Sequence, residues 1–144
     1  MTAIKISGNF QALTLQIQGL QNFTRQSINK SLIESANIIK QGLKAEMQKP
    51  KTGVLKPKSR IRRGSPLRRS ALGEGIANDT GYAMSLIAST NVSGNKIYAG
   101  FKKPYLFDYI KYWEDHGRPT LANVKFDKTQ DVYEAFRRNL KKRF

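Results

Sequence analysis

The chain holds one cluster of residues with acid–base potential, Glu114-Asp115-His116, with Asp108 a few positions earlier. Such groups could act as general acid and base, or two converging carboxylates could hold Mg²⁺ in a small nuclease or ribonuclease-type toxin. Consecutive residues at the end of a helix point in different directions, however, so this spacing does not bring them to one site. The pattern therefore favours a solvated helix end, and we expect no enzymatic activity.

A second candidate is Gly73-Glu74-Gly75, because glycine-rich loops bind phosphate groups. A Walker loop requires a later Gly-Lys-Ser/Thr and a dinucleotide-binding loop requires a preceding strand, and the sequence has neither pattern here. The absence of cysteine and the single histidine, His116, exclude disulfides, thiolate zinc sites, iron–sulfur ligation and any site that needs two histidines. The sequence predicts flexibility for the Gly-Glu-Gly segment and predicts no cofactor or metal.

Positive charge is the dominant property of the chain. Its 144 residues include 26 Lys or Arg against 10 Asp or Glu, a formal net charge of +16. Residues 49–69 alone contain nine basic residues and no acid, and a second basic cluster runs from Arg137 to Arg143. A charge of this size favours a polyanion such as nucleic acid, or a protein surface of opposite sign, as partner.

The basic segment is open to three interpretations: a protein-binding arm that orders on docking, a contact with DNA, and a solvated loop. It lacks aromatic residues on which bases could stack, so a DNA contact would involve the backbone and carry little sequence specificity. We favour the arm. Its candidate docking residues are five arginines: Arg60, Arg62, Arg63, Arg68 and Arg69.

These candidates must be positioned by a scaffold, and its clearest element is a long helix. Apolar residues at steps of three and four predict a helix from about Phe23 to Gln48, with Asn22 as N-cap and Pro50 as stop. Residues 10–20 are compatible with a shorter helix, although β-branched residues and a glycine make that pattern ambiguous.

A long loop and a hairpin are predicted next. Residues 49–78 contain seven Pro or Gly among the basic residues, which is typical of a loop. Residues 80–93 and 96–101 predict a β-hairpin around Gly94-Asn95, with a short helical turn from Asp79 as an alternative start.

Two further helices complete the scaffold. An aromatic-rich segment, 104–115, has helical spacing and ends at Gly117, and its aromatic residues suit either a core or an interface with a neighbouring subunit. Asp127 with Gln130 forms a capping-box pattern for a C-terminal helix. The apolar stripe of that helix consists of Val132, Phe136 and Leu140.

The predicted architecture is a single α+β domain over residues 1–144. A long N-terminal helix packs on a small antiparallel sheet, with further helices including a C-terminal one, and with 49–78 as a long basic loop or arm. The sequence has no apolar run long enough for a membrane helix and no signal-peptide pattern, so we expect a soluble chain without a membrane partner.

The order of short motifs resembles the tail-completion family of long-tailed bacteriophages and prophages. That family carries a segment like Ser-Ala-Pro-Gly-Glu followed by Asp-Thr-Gly-x-Leu-x-x-Ser-Ile. Here Leu72 replaces the proline and Ala83 replaces the leucine, while Gly73-Glu74 and Asp79-Thr80-Gly81 are kept. Ile97-Tyr98-Ala99-Gly100 is similar to the family's next strand, and Glu114-Asp115-His116-Gly117-Arg118-Pro119-Thr120 stands where members read Glu-Phe-Gly-Thr and then Arg-Pro-Phe.

The resemblance implies a structural protein of the virion rather than an enzyme. Such proteins form a ring, commonly of six copies, in the neck or tail of the virion after synthesis in the bacterial cytoplasm. Their partners are neck or head-completion proteins and tail terminator or tube proteins, and the strong positive charge would allow a contact with the exiting phage DNA. On this interpretation the basic arm docks on a neighbour, and Asp79, Thr80 and Gly81 form a structural turn before the sheet. The alternative is a DNA-binding protein that contacts the backbone without sequence specificity.

Overall fold

The predicted α+β architecture is confirmed by a computed structural model, which describes residues 3–8, 12–18, 25–60, 67–76, 82–93, 95–101 and 112–141. The strands are β1 (Ala3–Gly8), β2 (Ala12–Gln18), β3 (Ile87–Ser93) and β4 (Lys96–Phe101). The helices are α1 (Arg25–Gln48), a 3₁₀ turn (Lys58–Arg60), α2 (Tyr82–Ser85) and α3 (Thr120–Lys141), with a further helical turn over residues 112–115.

The four strands form one antiparallel sheet in the order β1-β2-β4-β3. The two faces of the sheet follow from alternation along β2: Leu13 and Leu15 are buried, whereas Thr14 and Gln16, each next in sequence, are only partly buried. The prediction of a helix within residues 10–20 is therefore wrong. Because this segment is short and carries apolar residues at every second position, pairing with β1 and β4 decides its conformation.

The β3–β4 hairpin confirms the predicted pairing. Ile87 lies opposite Phe101, and the register shifts at a bulge between Asn91 and Ser93. The first strand begins later than predicted, because α2 occupies residues 82–85 and so provides the short helical turn that the sequence offered as an alternative. The predicted turn residue Gly94 lies outside the described residues.

Helix α1 confirms the predicted long helix and covers one face of the sheet. Ile28, Leu32, Ile39, Leu43 and Met47 of its stripe are all buried. The helix ends at Gln48, two residues before the proline. The predicted N-cap, Asn22, lies outside the described residues.

Helix α3 packs along α1 and lies close to it at Gly42. A Cβ added to Gly42 would lie 3.0 Å from Cγ1 of Val124 and 3.1 Å from Cγ of Lys128. The small residue therefore allows close contact between the two helices. Val132 and Phe136 of the predicted α3 stripe are fully buried, whereas the side chain of Leu140 lies outside the described part.

The predicted start of α3 is wrong, because the helix begins at Thr120 rather than at Asp127. Asp127 and Gln130 lie on consecutive turns inside the helix, so the capping-box spacing here has no capping role. The first turn is instead capped by Glu114, a residue before the helix whose carboxylate accepts a hydrogen bond from the Leu121 amide.

The core lies between the sheet and the two long helices and includes Phe101 and Phe136, both almost fully buried. Within the described ranges, none of the helices is long and apolar enough to span a membrane.

Candidate assembly surface

The basic loop contains a short β-ribbon. The amide of Gly53 donates to the carbonyl oxygen of Arg69 over 2.8 Å. The amide of Arg69 donates to the carbonyl oxygen of Val54 over 2.9 Å, and the amide of Lys56 donates to the carbonyl oxygen of Leu67 over 2.9 Å. We call the two paired limbs, residues 53–56 and 67–69, the ribbon. The predicted loop is thus confirmed as free of long helix or strand in its described part, but its limbs are held together by backbone hydrogen bonds.

The ribbon exposes apolar side chains that its own chain leaves uncovered. Val54 is 75% exposed, Leu55 is 56% exposed and Leu67 is 58% exposed, and basic side chains of Arg68 and Arg69 are exposed beside them. The pairing of Leu55 with Arg68 places Leu55 on one face of the ribbon and Val54 and Leu67 on the other, so both faces expose apolar side chains, which is typical of an interaction surface. This combination of apolar and cationic groups is what a protein-docking arm would present.

The five predicted docking arginines are described only in part. Arg68 lies on the ribbon, where Nη1 donates to the carbonyl oxygen of Gly53 over 3.2 Å, and Arg69 is its exposed neighbour. Arg60 is the last residue of the 3₁₀ turn, but its side chain is outside the described part. Arg62 and Arg63 lie outside the described residues altogether.

The structural turn predicted at Asp79, Thr80 and Gly81 also lies outside the described residues. The chain is described up to Ile76 and again from Tyr82, the first residue of α2. The role assigned to these three residues therefore stays a prediction.

Glu74 fixes the base of the ribbon. Its carboxylate accepts hydrogen bonds from the Thr52 amide at 3.1 Å, the Thr52 hydroxyl at 2.5 Å and the Ala71 amide at 2.8 Å. These hydrogen bonds, with that of the Thr52 hydroxyl foremost, hold the pKa of Glu74 below its ordinary value. The Gly-Glu-Gly segment, predicted to supply flexibility, is thus a hydrogen-bonded turn in which Gly73 has a φ of +87°.

A second carboxylate, Glu46 near the end of α1, joins three parts of the chain. Its side chain accepts hydrogen bonds from the Gly75 amide at 3.3 Å and from Nδ2 of Asn123 at 3.0 Å, and lies 2.8 Å from Nζ of Lys49. We call Glu46, the Gly75 amide and Asn123 the clasp, because they connect α1, the loop and α3.

The Glu46 carboxylate is charged although it is only 4% exposed. Burial alone would raise its pKa, but the hydrogen bonds from Lys49 and Asn123 and the positive charge of Lys49 outweigh burial, so the pKa lies below its ordinary value. The clasp therefore stabilises the ionised form and with it the contact between the loop and both helices.

Arg118 attaches the same loop from the α3 side. Its Nε and Nη2 donate to the carbonyl oxygen of Ser70 at 3.3 and 3.2 Å, and the guanidinium lies 5.6 Å from the ring centre of Trp113. The Gly73 amide donates to the carbonyl oxygen of Gly117 over 2.7 Å. Two of the segments that carry the family resemblance, 69–75 and 114–120, thus meet at the base of the ribbon.

The predicted acid–base cluster serves structure. Oε1 of Glu114 accepts the Leu121 amide at 2.5 Å and so caps α3, which is favourable because helix N-termini attract negative charge. Burial raises the pKa of Glu114, and the backbone hydrogen bonds oppose that shift. Nδ1 of His116 lies 2.6 Å from the carbonyl oxygen of Tyr112, and the two rings stack with centres 4.0 Å apart.

Within the described part of the cluster, Glu114 is bound at the helix start and His116 lies against Tyr112. Asp108 lies outside the described residues. Among the described residues, no group of three or more acidic or histidine side chains could hold a metal ion.

Sequence reasoning missed the clasp. The available signal was the position of Glu46, which falls three residues after Leu43 on the buried stripe of α1 and so had to find partners inside the protein. Asn123 gave no such signal, because its partners lie 50 and 77 positions away.

Comparison with known proteins gave no match, since no family model, curated protein or solved structure matches this chain. The resemblance to the tail-completion family thus depends on its short sequence motifs alone.

Proposed function

We propose that this protein is a non-enzymatic component of a bacteriophage neck or tail. It completes the tail and joins it to the head connector as one subunit of an oligomeric ring. Its partners are further copies of itself together with neck or head-completion proteins and tail terminator or tube proteins.

The observation that carries this proposal is a ribbon with a fixed base and an uncovered surface. Glu74, Arg118 and the clasp hold the loop against both long helices, while Val54, Leu55 and Leu67 remain exposed. A surface that is held in place before binding loses less conformational entropy on docking, so such a loop is suited to assembly.

The carboxylates of the described region support a structural role. Glu46, Glu74 and Glu114 all accept hydrogen bonds from backbone amides, and these bonds fasten one segment to another. Each of these three carboxylates therefore already has a backbone partner inside the protein. These contacts favour a structural role, such as joining other proteins.

The test is electron microscopy of a lysate from a phage or induced prophage that encodes this chain with an early stop codon. We expect full heads beside unattached tails, and joined infectious particles after the purified protein is added. A lysate from the same phage with a silent substitution at that codon is the matched control. Normal infectious particles from the stop-codon phage would contradict the proposal.

A further inference from the structure

We propose that the ribbon of one copy docks on the outer face of α3 in a second copy. This inference rests on the proposed ring assembly and names its contact surfaces. The receiving surface is centred on Phe126, whose side chain is 86% exposed although phenylalanine is among the residues most often buried.

The surface around Phe126 has room for apolar side chains. Phe126 borders an open depression of about 510 Å³, whose other lining residues are Ala122, Lys125, Thr129 and Gln130. The aromatic ring and the alanine methyl give this depression an apolar part, and the Lys125 stem adds methylene groups. Leu55 of a ribbon, which its pairing with Arg68 places on the same face as that arginine, would find there the apolar cover that its own chain does not give it.

Charge complementarity selects a second copy as the occupant. Three exposed acids, Asp127, Asp131 and Glu134, recur at steps of four and three on one side of Phe126, whereas residues 49–69 contain no acid. Two lysines lie close to them: Lys125 on the other side of Phe126, and Lys128 next to Asp131. Asp127 and Asp131 make only long ion pairs in their own chain, at 3.5 Å to Lys49 and 3.8 Å to Lys128. They remain available to exposed basic side chains from the ribbon.

Most other described acids are already engaged within the chain. Glu46 and Glu74 accept backbone amides, Glu114 caps α3, and Glu34 accepts hydrogen bonds from Arg138 at 3.0 Å and Asn139 at 2.8 Å. The outer face of α3 thus combines three exposed acids with the 86% exposed ring of Phe126.

The two surfaces differ from one another, and each copy carries both. A contact between two different surfaces is head-to-tail, so each subunit binds one neighbour through its ribbon and a second neighbour through its α3 face. Such contacts generate a ring when the rotation closes. The proposed docking thus accounts for ring formation without a further interface.

The test uses the full-length chain and two single substitutions at exposed positions. Leu55→Asp disables the ribbon and Phe126→Asp disables the α3 face, and sedimentation velocity measures the mass of each variant alone and of their equimolar mixture. We expect the wild-type chain to form oligomers and each variant alone to lose at least about tenfold in affinity, because buried anchors at interface centres dominate binding. The mixture should give a 1:1 dimer, since one good ribbon and one good face remain.

Ile33→Asp, at an exposed apolar position of α1, is the matched control and should assemble like wild type. Circular dichroism of each variant verifies that it is folded. Oligomers that persist in either variant, a mixture without dimer, or a wild-type chain that stays monomeric would each overturn the docking proposal. None of these results decides whether the protein joins heads to tails, which the stop-codon lysate tests separately.

Discussion

At the scale of single residues, the ionised Glu46 is the most consequential group in the described structure. It is buried, and it contacts a backbone amide, an amide side chain and an ammonium group from three parts of the chain. Buried polar groups of this kind contribute modestly when satisfied, but their loss is costly because their partners are then left unpaired.

Replacing Glu46 tests that assessment. Glu46→Ala should lower the free energy of unfolding by about 2 kcal/mol, because the buried Gly75 amide loses its acceptor. Glu46→Gln, which retains a carbonyl oxygen of the same reach, should cost less. Urea denaturation measures both, with the exposed Glu134→Gln as control. An alanine variant as stable as the control would contradict a role for the clasp in stability.

Acidification should destabilise the protein. The pKa values of Glu34, Glu46 and Glu74 all lie below the ordinary value of 4.5, so their stabilising effect is present above that value and is lost as the pH falls through their folded-state pKa. Acidification has the opposite effect at Glu114. Its pKa is raised by burial, so protonation removes the cost of burying a charge and stabilises the folded state.

Urea midpoints at about pH 6 and about pH 3.5 measure this effect. The wild-type midpoint should fall on acidification, Glu46→Gln should show a smaller fall, and Glu114→Gln should show a larger one. All three proteins carry nearly the same net charge, so repulsion among their positive charges lowers their stability by similar amounts. Equal falls in the three proteins would contradict the assigned pKa directions.

At the scale of elements, α1 and the β3–β4 hairpin could be predicted from the sequence, because their periodic patterns coincide with their burial. Strand β2 was missed although Leu13, Leu15 and Ile17 alternate with polar residues, a period of two that the interpretation of residues 10–20 as a helix overlooked. The start of α3 was missed for another reason. Its cap, Glu114, lies six residues before the helix. Asp127 and Gln130 have the spacing of a capping box but lie inside the helix.

The candidate site was predictable to the same limited extent. Composition alone located the basic loop, and Arg68 and Arg69 of the five predicted docking arginines are exposed, whereas their docking role stays a prediction. The ribbon and the clasp depend on pairs of residues far apart in the chain, such as Thr52 with Glu74 and Glu46 with Asn123. Patterns of neighbouring residues in the sequence do not predict such pairs.

The ribbon requires glycine at position 53. A Cβ there would meet the carbonyl oxygen of Arg69 at a distance that real Cβ atoms do not adopt, and would lie 2.9 Å from that of Ser70. Gly53→Ala should therefore separate the two limbs and accelerate hydrogen exchange at the Lys56 and Arg69 amides. Because the ribbon is peripheral, the unfolding midpoint should change much less than these exchange rates.

Val54→Ala is the matched control for that substitution. It removes exposed methyl groups on the same limb and leaves the backbone hydrogen bonds in place. Unchanged exchange at the Lys56 and Arg69 amides in Gly53→Ala would show that the close backbone approach does not matter.

At the scale of the whole molecule, a net charge of +16 distinguishes assembly from DNA binding through salt. Duplex binding that neutralised six or more phosphates would lose about a thousandfold in affinity between about 50 and about 200 mM salt. Self-association through Phe126 and Leu55 should lose less than about tenfold over that range, because burial of its apolar centre is not screened and only the few ion pairs at its rim weaken.

Sedimentation velocity and fluorescence anisotropy with a labelled duplex, in the same salt series, measure the two affinities. Nuclease treatment beforehand removes any bound nucleic acid, so the oligomers observed are those of the protein alone. Self-association that declines as steeply as duplex binding would contradict an apolar centre and favour the DNA-binding alternative.

The clasp also bears on the order in which the chain folds. Glu46 and Asn123 are 77 residues apart, and they meet only after α1, the loop and the start of α3 have come together. Closing so long a segment costs entropy before any contact repays it, so the clasp should form late, after the rate-limiting barrier. In stopped-flow chevrons, Glu46→Gln should then accelerate unfolding and leave refolding almost unchanged. Such a protein would persist through slow unfolding, and that kinetic persistence would suit a part that must survive in a particle long after its synthesis.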